Sequence, residues 1–284
     1  MPSNPERPAP VHGFRVAFIG GGNMARSLVG ALVRGGARAD AIAVAEPNAE
    51  LRAALARDFG VAVHERGTDA AQDADVVVLA VKPQVMKAVC GELAPALGAS
   101  KPLVVSIAAG IRTAQLDGWL GGGRAIVRAM PNTPALVGAG ATGMIANEAV
   151  DTGQRERAEA ILGAAGRTVW IDDEALMDTV TALSGSGPAY FFLLVEALED
   201  AAVAQGLPRA TARSLAVQTC VGAGRMLDED GEPPTVLRER VTSPGGTTAA
   251  ALQAFADGDL RGLVARAVDA AAERGRQLSA AYDD

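Results

Sequence analysis

The sequence predicts an α/β fold in two parts, a doubly wound sheet followed by an all-α domain. From Phe14 to Ile171, short β-rich runs alternate with alanine-rich amphipathic stretches, the rhythm of a parallel sheet covered by helices. After Asp172 the β-like runs stop, and helical patterning continues with breaks at Gly185–Pro188, Gly206–Pro208, Gly231–Pro234 and Pro244–Gly246. The expected divisions are a tail over 1–13, a first domain over 14–172 and a helical domain over 173–284.

Eight segments read as strands: Arg15–Ile19, Ile42–Ala45, Val61–Val63, Val76–Val81, Leu103–Ile107, Ile126–Ala129, Thr142–Ile145 and Thr168–Ile171. Several are apolar at every position, as strands buried between two helix layers must be. The helices expected after Asp173 are rich in Ala and Leu over long stretches, leaving too little polar surface for an isolated domain. That block is expected to pack against a second subunit.

Bulk properties narrow the function classes. A chain of 284 residues, 49% of them hydrophobic, is long enough for two domains with a substantial core. A net charge of −7, with arginines scattered among acids, opposes a nucleic-acid partner. Cys90 and Cys220 lie far apart in apolar, helix-like contexts, the pattern of reduced thiols, and no His/Cys cluster has metal-ligand spacing. The strongest apolar run, Phe191–Leu198, is interrupted by Glu196 and falls short of a membrane span. Pro2, Pro5, Pro8 and Pro10 replace a signal core, so a cytoplasmic protein without a membrane partner is expected.

The run Gly20-Gly21-Gly22-Asn23-Met24-Ala25 places G-x-G-x-x-A at the exit of the first strand and the start of a helix. This is the dinucleotide-binding pattern of a Rossmann-type sheet. Gly20 makes the tight turn, Gly22 lets the backbone approach a pyrophosphate, and Ala25 permits close helix–strand packing. The helix start then offers free N–H groups to phosphate charge. Glu46 follows the second strand, where an acid accepts the hydrogen bonds of an adenosine ribose; the alternative is a plain turn in which Asn48 caps the next helix. Val81-Lys82-Pro83 closes the fourth strand, where Lys82 either lies along a cofactor or extends into solvent. Ala108 follows the fifth strand, and Met130-Pro131-Asn132-Thr133-Pro134 follows the sixth, its two prolines stiffening a wall suited to a flat ring.

In the helical half, Ser184-Gly185-Ser186-Gly187-Pro188 opens a long helix, either as a ligand contact or as a simple start capped by Ser186. Ser243-Pro244-Gly245-Gly246-Thr247-Thr248 combines a proline turn, two glycines and three hydroxyls before another helix, an anion cradle matched to a carboxylate. The only lysines are Lys82, Lys87 and Lys101, and the only histidines His12 and His64, so the helical half offers no Lys or His as an acid–base group. A cyclic imine binds already protonated and accepts hydride directly, which favours a C=N substrate over an alcohol.

These motifs, with Gln205-Gly206-Leu207, stand in the order and spacing of pyrroline-5-carboxylate reductases, and the chain resembles that family over nearly everything after the tail. The resemblance implies reduction of 1-pyrroline-5-carboxylate to L-proline with NADPH or NADH. It also implies a site between a Rossmann domain and a helical dimerisation domain exchanged across a homodimer, which in turn often assembles into a ring. It assigns Ser243, Gly246 and Thr247 to the substrate carboxylate and Thr248 to the ring nitrogen, as the catalytic candidate, with Ser184 and Gly245 also in the substrate site. Gly20, Gly22, Asn23, Met24, Ala25, Glu46, Val81, Lys82, Pro83, Ala108 and Asn132 fall to the cofactor.

Two stretches depart from the family pattern. His64-Glu65-Arg66-Gly67-Thr68 stands where an asparagine is common, and Glu46-Pro47 stands where NADPH users carry Ser, Thr or Arg. Both bear on cofactor choice. The competing readings are a β-hydroxy-acid dehydrogenase, whose chemistry calls for a lysine in the helical half, and a non-catalytic dinucleotide sensor.

Overall fold

The computed structural model describes residues 13–98, 101–229 and 231–282, so the expected tail lies, apart from Gly13, outside the described residues. The first half of the chain alternates β1 (Val16–Ile19), α1 (Asn23–Arg34), β2 (Ile42–Ala45), α2 (Ala49–Phe59), β3 (Ala62–His64), the short α3 (Gly67–Ala70), β4 (Val76–Leu79), α4 (Pro83–Leu93), β5 (Leu103–Ser106), α5 (Thr113–Trp119) and β6 (Ile126–Met130). Then come β7 (Gly140–Ala146), α6 (Thr152–Gly163), β8 (Gly166–Trp170) and α7 (Met177–Val180). Only helices follow: α8 (Gly187–Ala204), α9 (Arg209–Glu229), α10 (Pro234–Arg240), α11 (Thr247–Asp257) and α12 (Leu260–Ala280). All eight predicted strand segments are strands, with their ends displaced by at most two residues.

The strands form one sheet in the order β3-β2-β1-β4-β5-β6-β7-β8. The sheet is parallel except where β7 runs antiparallel to β6. The parallel sheet read from the sequence holds at every other pairing, and the cause of this exception is the length of the link. Residues 131–139 hold a short 3₁₀ turn but no crossover helix, whereas a parallel return needs about a dozen residues or more. From β7 to β8 the chain includes α6 and the pairing is parallel again.

Alternate residues of the central strands feed two cores. Val76 and Val78 of β4 join Phe18, Leu28 and Val29 on one face, while Val77 and Leu79 join Ala17, Met86 and Leu116 on the other. Full burial of a side chain such as Phe18 or Leu28 contributes roughly 1.5–3 kcal/mol. Cys90 sits in the second core, where burial pushes its thiol up to about 12. It and Cys220 on α9 are both free cysteines.

Contacts group residues 13–185 with 271–282 into one compact unit, and Ser186–Ala270 into a second. The change to all-helical structure comes after β8, whereas this contact boundary lies further on, at Gly185. In the first unit, Arg128 on β6 is almost wholly buried and its Nη1 donates to Glu174 Oε1 at 3.1 Å. Glu174 also accepts from the amide and the hydroxyl of Thr113 at 2.9 and 2.7 Å, so one carboxylate ties the segment after β8 to β6 and α5. Asp178 lies against Gly275 of α12, where a Cβ would come within 2.9 Å of its Oδ1. In the second unit α8 and α9 pack on each other. Among the described residues no helix is long and apolar enough to cross a membrane.

A close approach between β7 and α7 gives a direct test of this packing. A Cβ at Gly143 would stand 2.5 Å from Val180 Cγ1, so Gly143→Ala is expected to lower stability to denaturant by about 1–3 kcal/mol. Combined with Val180→Ala it should cost less than the sum of the two single changes. A neutral Gly143→Ala would show that β7 and α7 are not packed this tightly.

Candidate functional site

The sheet order reverses between β1 and β4, and in doubly wound sheets ligands bind outside the carboxyl ends of the strands at such a point. β1 ends at Ile19, level with Ala45 of β2 and Leu79 of β4. Gly20 follows with φ +103°, and a Cβ on it would lie 2.8 Å from the Ala80 carbonyl oxygen. Only glycine makes this turn. Its N–H donates to Ala45 O at 2.8 Å, stitching the loop to the neighbouring strand.

Gly22 is the N-cap of α1, and nothing lies within 4 Å of where its Cβ would be. The space over the loop is therefore open to a ligand. Asn23, Met24 and Ala25 form the first turn, whose amides have no acceptor inside the helix. Ala25 is 1% exposed against the core, and the helix is anchored farther along where Arg26 pairs with Asp58 of α2.

The other candidates from the first half collect at the same end of the sheet. Val81 touches the loop, its Cγ1 lying 3.1 Å from a Cβ placed on Gly20. Lys82 is the exposed N-cap of α4, and Pro83 pre-sets the first helical turn. Ala108 is buried just past β5, with its N–H directed at Ser106 Oγ 3.4 Å away. Glu46, at the end of β2, has its Oε2 accepting from Gly21 N–H and its Oε1 from Asn48 N–H, each at 2.9 Å. Asn48 in turn caps α2 through the amides of Glu50 and Leu51. The two readings left open for this turn coexist: Asn48 is the cap, and the Glu46 carboxylate stands on the glycine loop.

Asn132 has both side-chain groups engaged within the protein. Its Nδ2 donates to the Ser184 carbonyl and its Oδ1 accepts from Ala141 N–H, both at 2.9 Å. Ser184 lies in a π-helical turn, Thr181–Gly185, and its hydroxyl donates to Val180 O at 2.9 Å. Such turns widen the helix locally and recur at functional sites. A Cβ on Gly185 would meet Met130 Cε at 2.7 Å. The Met130–Pro134 and Ser184–Gly185 motifs, separate in sequence, are thus in contact. Ser186 begins α8 without a side-chain cap bond, so the capping role open to it is not used.

In the second unit, Gly245 turns the chain with φ +68° and Gly246 is the N-cap of α11, again without a side-chain cap. Among the described residues the hydroxyls of Ser243, Thr247 and Thr248 have no protein hydrogen-bond partner, while that of Thr242 donates to Arg238 O. The start of α11 therefore presents hydroxyls and first-turn amides together, a donor set suited to a carboxylate.

Sequence reasoning missed the Arg128–Glu174–Thr113 network, which positions the segment leading to Ser184. A signal was present, an arginine within the apolar run Ile126–Met130, though nothing in the run names its partner.

The Asn132 bridge makes a specific prediction. Asn132→Ala leaves Ala141 N–H and Ser184 C=O unpaired in a largely buried place, at a cost of about 1–3 kcal/mol to stability. Asn132→Asp keeps the acceptor for Ala141 but turns a carboxylate towards the Ser184 carbonyl, and should be no better. Denaturant midpoints for both variants check this, and a wild-type midpoint in Asn132→Ala would show that the bridge is dispensable.

Comparison with known proteins follows the same division of the chain. Residues 174–278 match the family model described as pyrroline-5-carboxylate reductase dimerisation, and residues 15–110 match NADP oxidoreductase, coenzyme F420-dependent. The chain is 52% identical over 265 residues to a pyrroline-5-carboxylate reductase of Pseudomonas aeruginosa, covering 93% of this chain and 97% of that one. It is 43% identical to the corresponding protein of Arabidopsis thaliana over 96% of this chain and 98% of the relative. Among solved structures, a pyrroline-5-carboxylate reductase from Coxiella burnetii superposes with a TM-score of 0.91 at 45% identity, covering 94% of this chain and 98% of that one. The Plasmodium falciparum pyrroline carboxylate reductase with NADP bound gives 0.82 at 30% identity, over 94% and 98% of the two chains.

Proposed function

The chain belongs to the pyrroline-5-carboxylate reductase family, and on that premise we propose that it reduces 1-pyrroline-5-carboxylate to L-proline with NADH or NADPH, the final step of proline synthesis. The observation that carries the reading is the Gly20–Ala25 turn, where Gly20 has no room for a side chain while the space over Gly22 stays open. That combination fits a pyrophosphate lying on the start of α1. Asn23, Met24 and Ala25 supply amides there, and Glu46, Val81, Lys82, Pro83, Ala108 and Asn132 complete the cofactor's surroundings.

When bound, the reduced nicotinamide supplies hydride to the imine carbon of the protonated pyrroline. The residues of this chain hold and orient the acceptor. Ser243 and the amides of Gly246 and Thr247 take the carboxylate, with Gly245 shaping the turn and Ser184 a further substrate contact. The Thr248 hydroxyl oxygen accepts the iminium N–H, fixing the ring nitrogen and favouring the charged, hydride-accepting form. Support for these roles is the set of unpartnered hydroxyls and first-turn amides at the start of α11.

The functional form is a homodimer built through the helical domain, with a ring of dimers as the larger assembly. Its support is the apolar side chains left exposed on α8 and α9, among them Phe191, Phe192, Leu193 and Leu215, each more than half exposed in the single chain. The cytoplasm is the proposed compartment, in keeping with two free cysteines.

Purified enzyme is expected to consume reduced nicotinamide when given 1-pyrroline-5-carboxylate, faster than with a six-membered imine acid or a β-keto acid. Thr248→Ala should lower kcat roughly 10–100-fold, the value of a hydrogen bond to a charged group, with dinucleotide affinity and melting temperature unchanged. Turnover of the β-keto acid alone would replace this reading with the hydroxy-acid dehydrogenase, and undiminished kcat in Thr248→Ala would remove Thr248 from the mechanism.

A further inference from the structure

Resting on the dinucleotide site above, we propose that this chain selects NADH over NADPH because the Glu46 carboxylate is fixed where the 2′-phosphate of NADPH would lie. Glu46 directly follows β2, the strand beside β1, and Gly20 N–H is bonded to Ala45 O immediately before it. An acid at this position of a doubly wound sheet accepts the hydroxyls of the adenosine ribose. In this chain the carboxylate is also locked in place.

The lock has three parts. Glu46 Oε2 accepts from Gly21 N–H and Oε1 from Asn48 N–H, each at 2.9 Å, so the side chain is held to the glycine loop at one end and to its own turn at the other. Gly21 leaves no space between loop and acid: a Cβ there would lie 2.7 Å from Leu55 Cδ1 and 3.0 Å from Glu46 Cβ. Arg52 fixes the main chain, its Nη1 donating to the carbonyls of Glu46 and Pro47 at 2.7 and 2.6 Å.

The same contacts remove one nearby cation, Arg52, from play. Arg52 is spent on two carbonyls, and its Nη2 lies 3.4 Å from Glu65, a second carboxylate at this end of the sheet. Each Glu46 oxygen takes one amide and keeps lone-pair capacity for a ribose hydroxyl. A 2′-phosphate would instead bring about −1.5 to −2 of charge against a carboxylate that cannot swing aside without losing both amide bonds. The result is discrimination by repulsion as well as by attraction.

The test is direct titration of NADH and NADPH into the unmodified protein, Glu46→Gln and Glu46→Ser, read by calorimetry and so independent of turnover. NADH is expected to bind at least about tenfold more tightly than NADPH to the unmodified protein. Glu46→Gln keeps an oxygen for Gly21 N–H, removes the charge and gives up the acceptor for Asn48 N–H; it should bring the two affinities several-fold closer, as should Glu46→Ser. Equal affinities in the unmodified protein, or a ratio unchanged in Glu46→Gln, would overturn the proposal while leaving dinucleotide binding intact. Tighter NADPH that is lost in Arg66→Ala would overturn it by making Arg66 a phosphate clamp. If neither dinucleotide bound, this proposal and the cofactor reading beneath it would both fall.

Discussion

At the exit of β1 the main chain passes so near Ala80 that a single added carbon at Gly20 would sit 2.8 Å from a carbonyl oxygen. The close passage draws the loop between β2 and β4 and brings the start of α1 to the sheet's reversal point. It also puts Val81 and Lys82 from the neighbouring strand beside the same opening. Gly21 extends the constraint outward, since its bare backbone admits the Glu46 side chain and receives its hydrogen bond. The shape of the proposed cofactor site thus follows from the absence of side chains at two adjacent positions, and its charge from the acid that this absence lets in.

A second set of contacts connects that sheet to Ser184. Arg128 is one of the few charged groups in the core, and burying a guanidinium is costly unless it is paired. Glu174 supplies the pair and at the same time accepts two bonds from Thr113, so the segment leaving β8 is held to the sheet. Further along, the Asn132 amide spans from Ala141 to Ser184. The proline-framed motif after β6 is therefore more than a stiff wall. Its polar residue is a strut that locates the π-helical turn.

Most of the architecture was legible in the sequence because its signals are local. Eight apolar runs punctuated by Gly, Pro and Asn became eight strands, and the glycine loop and the Asn48 cap stand where the pattern puts them. The reversed direction of β7 was not legible, because it depends on the length of a link whose residues themselves look ordinary. The contact boundary was not legible either: α12 reads as one continuous helix, yet its end groups with the sheet unit while its beginning does not. Arg128 and Glu174 are 46 positions apart, and Asn132 and Ser184 are 52 apart, so no periodicity pairs them. Glu46 was legible as an acid following the second strand, whereas its anchoring became apparent only once Gly21 and Asn48 were seen to share its two oxygens.

The central claim, hydride transfer from a nicotinamide to a cyclic imine, is tested most directly by isotope. The enzyme would be given 1-pyrroline-5-carboxylate with the reduced dinucleotide deuterated on one face of nicotinamide C4 in one reaction and on the opposite face in a second, and the proline analysed by mass spectrometry. The account predicts a single deuterium on the former imine carbon from one of the two labelled cofactors and none from the other. Proline whose new carbon-bound hydrogen came from water with both cofactors, or no proline at all, would contradict it.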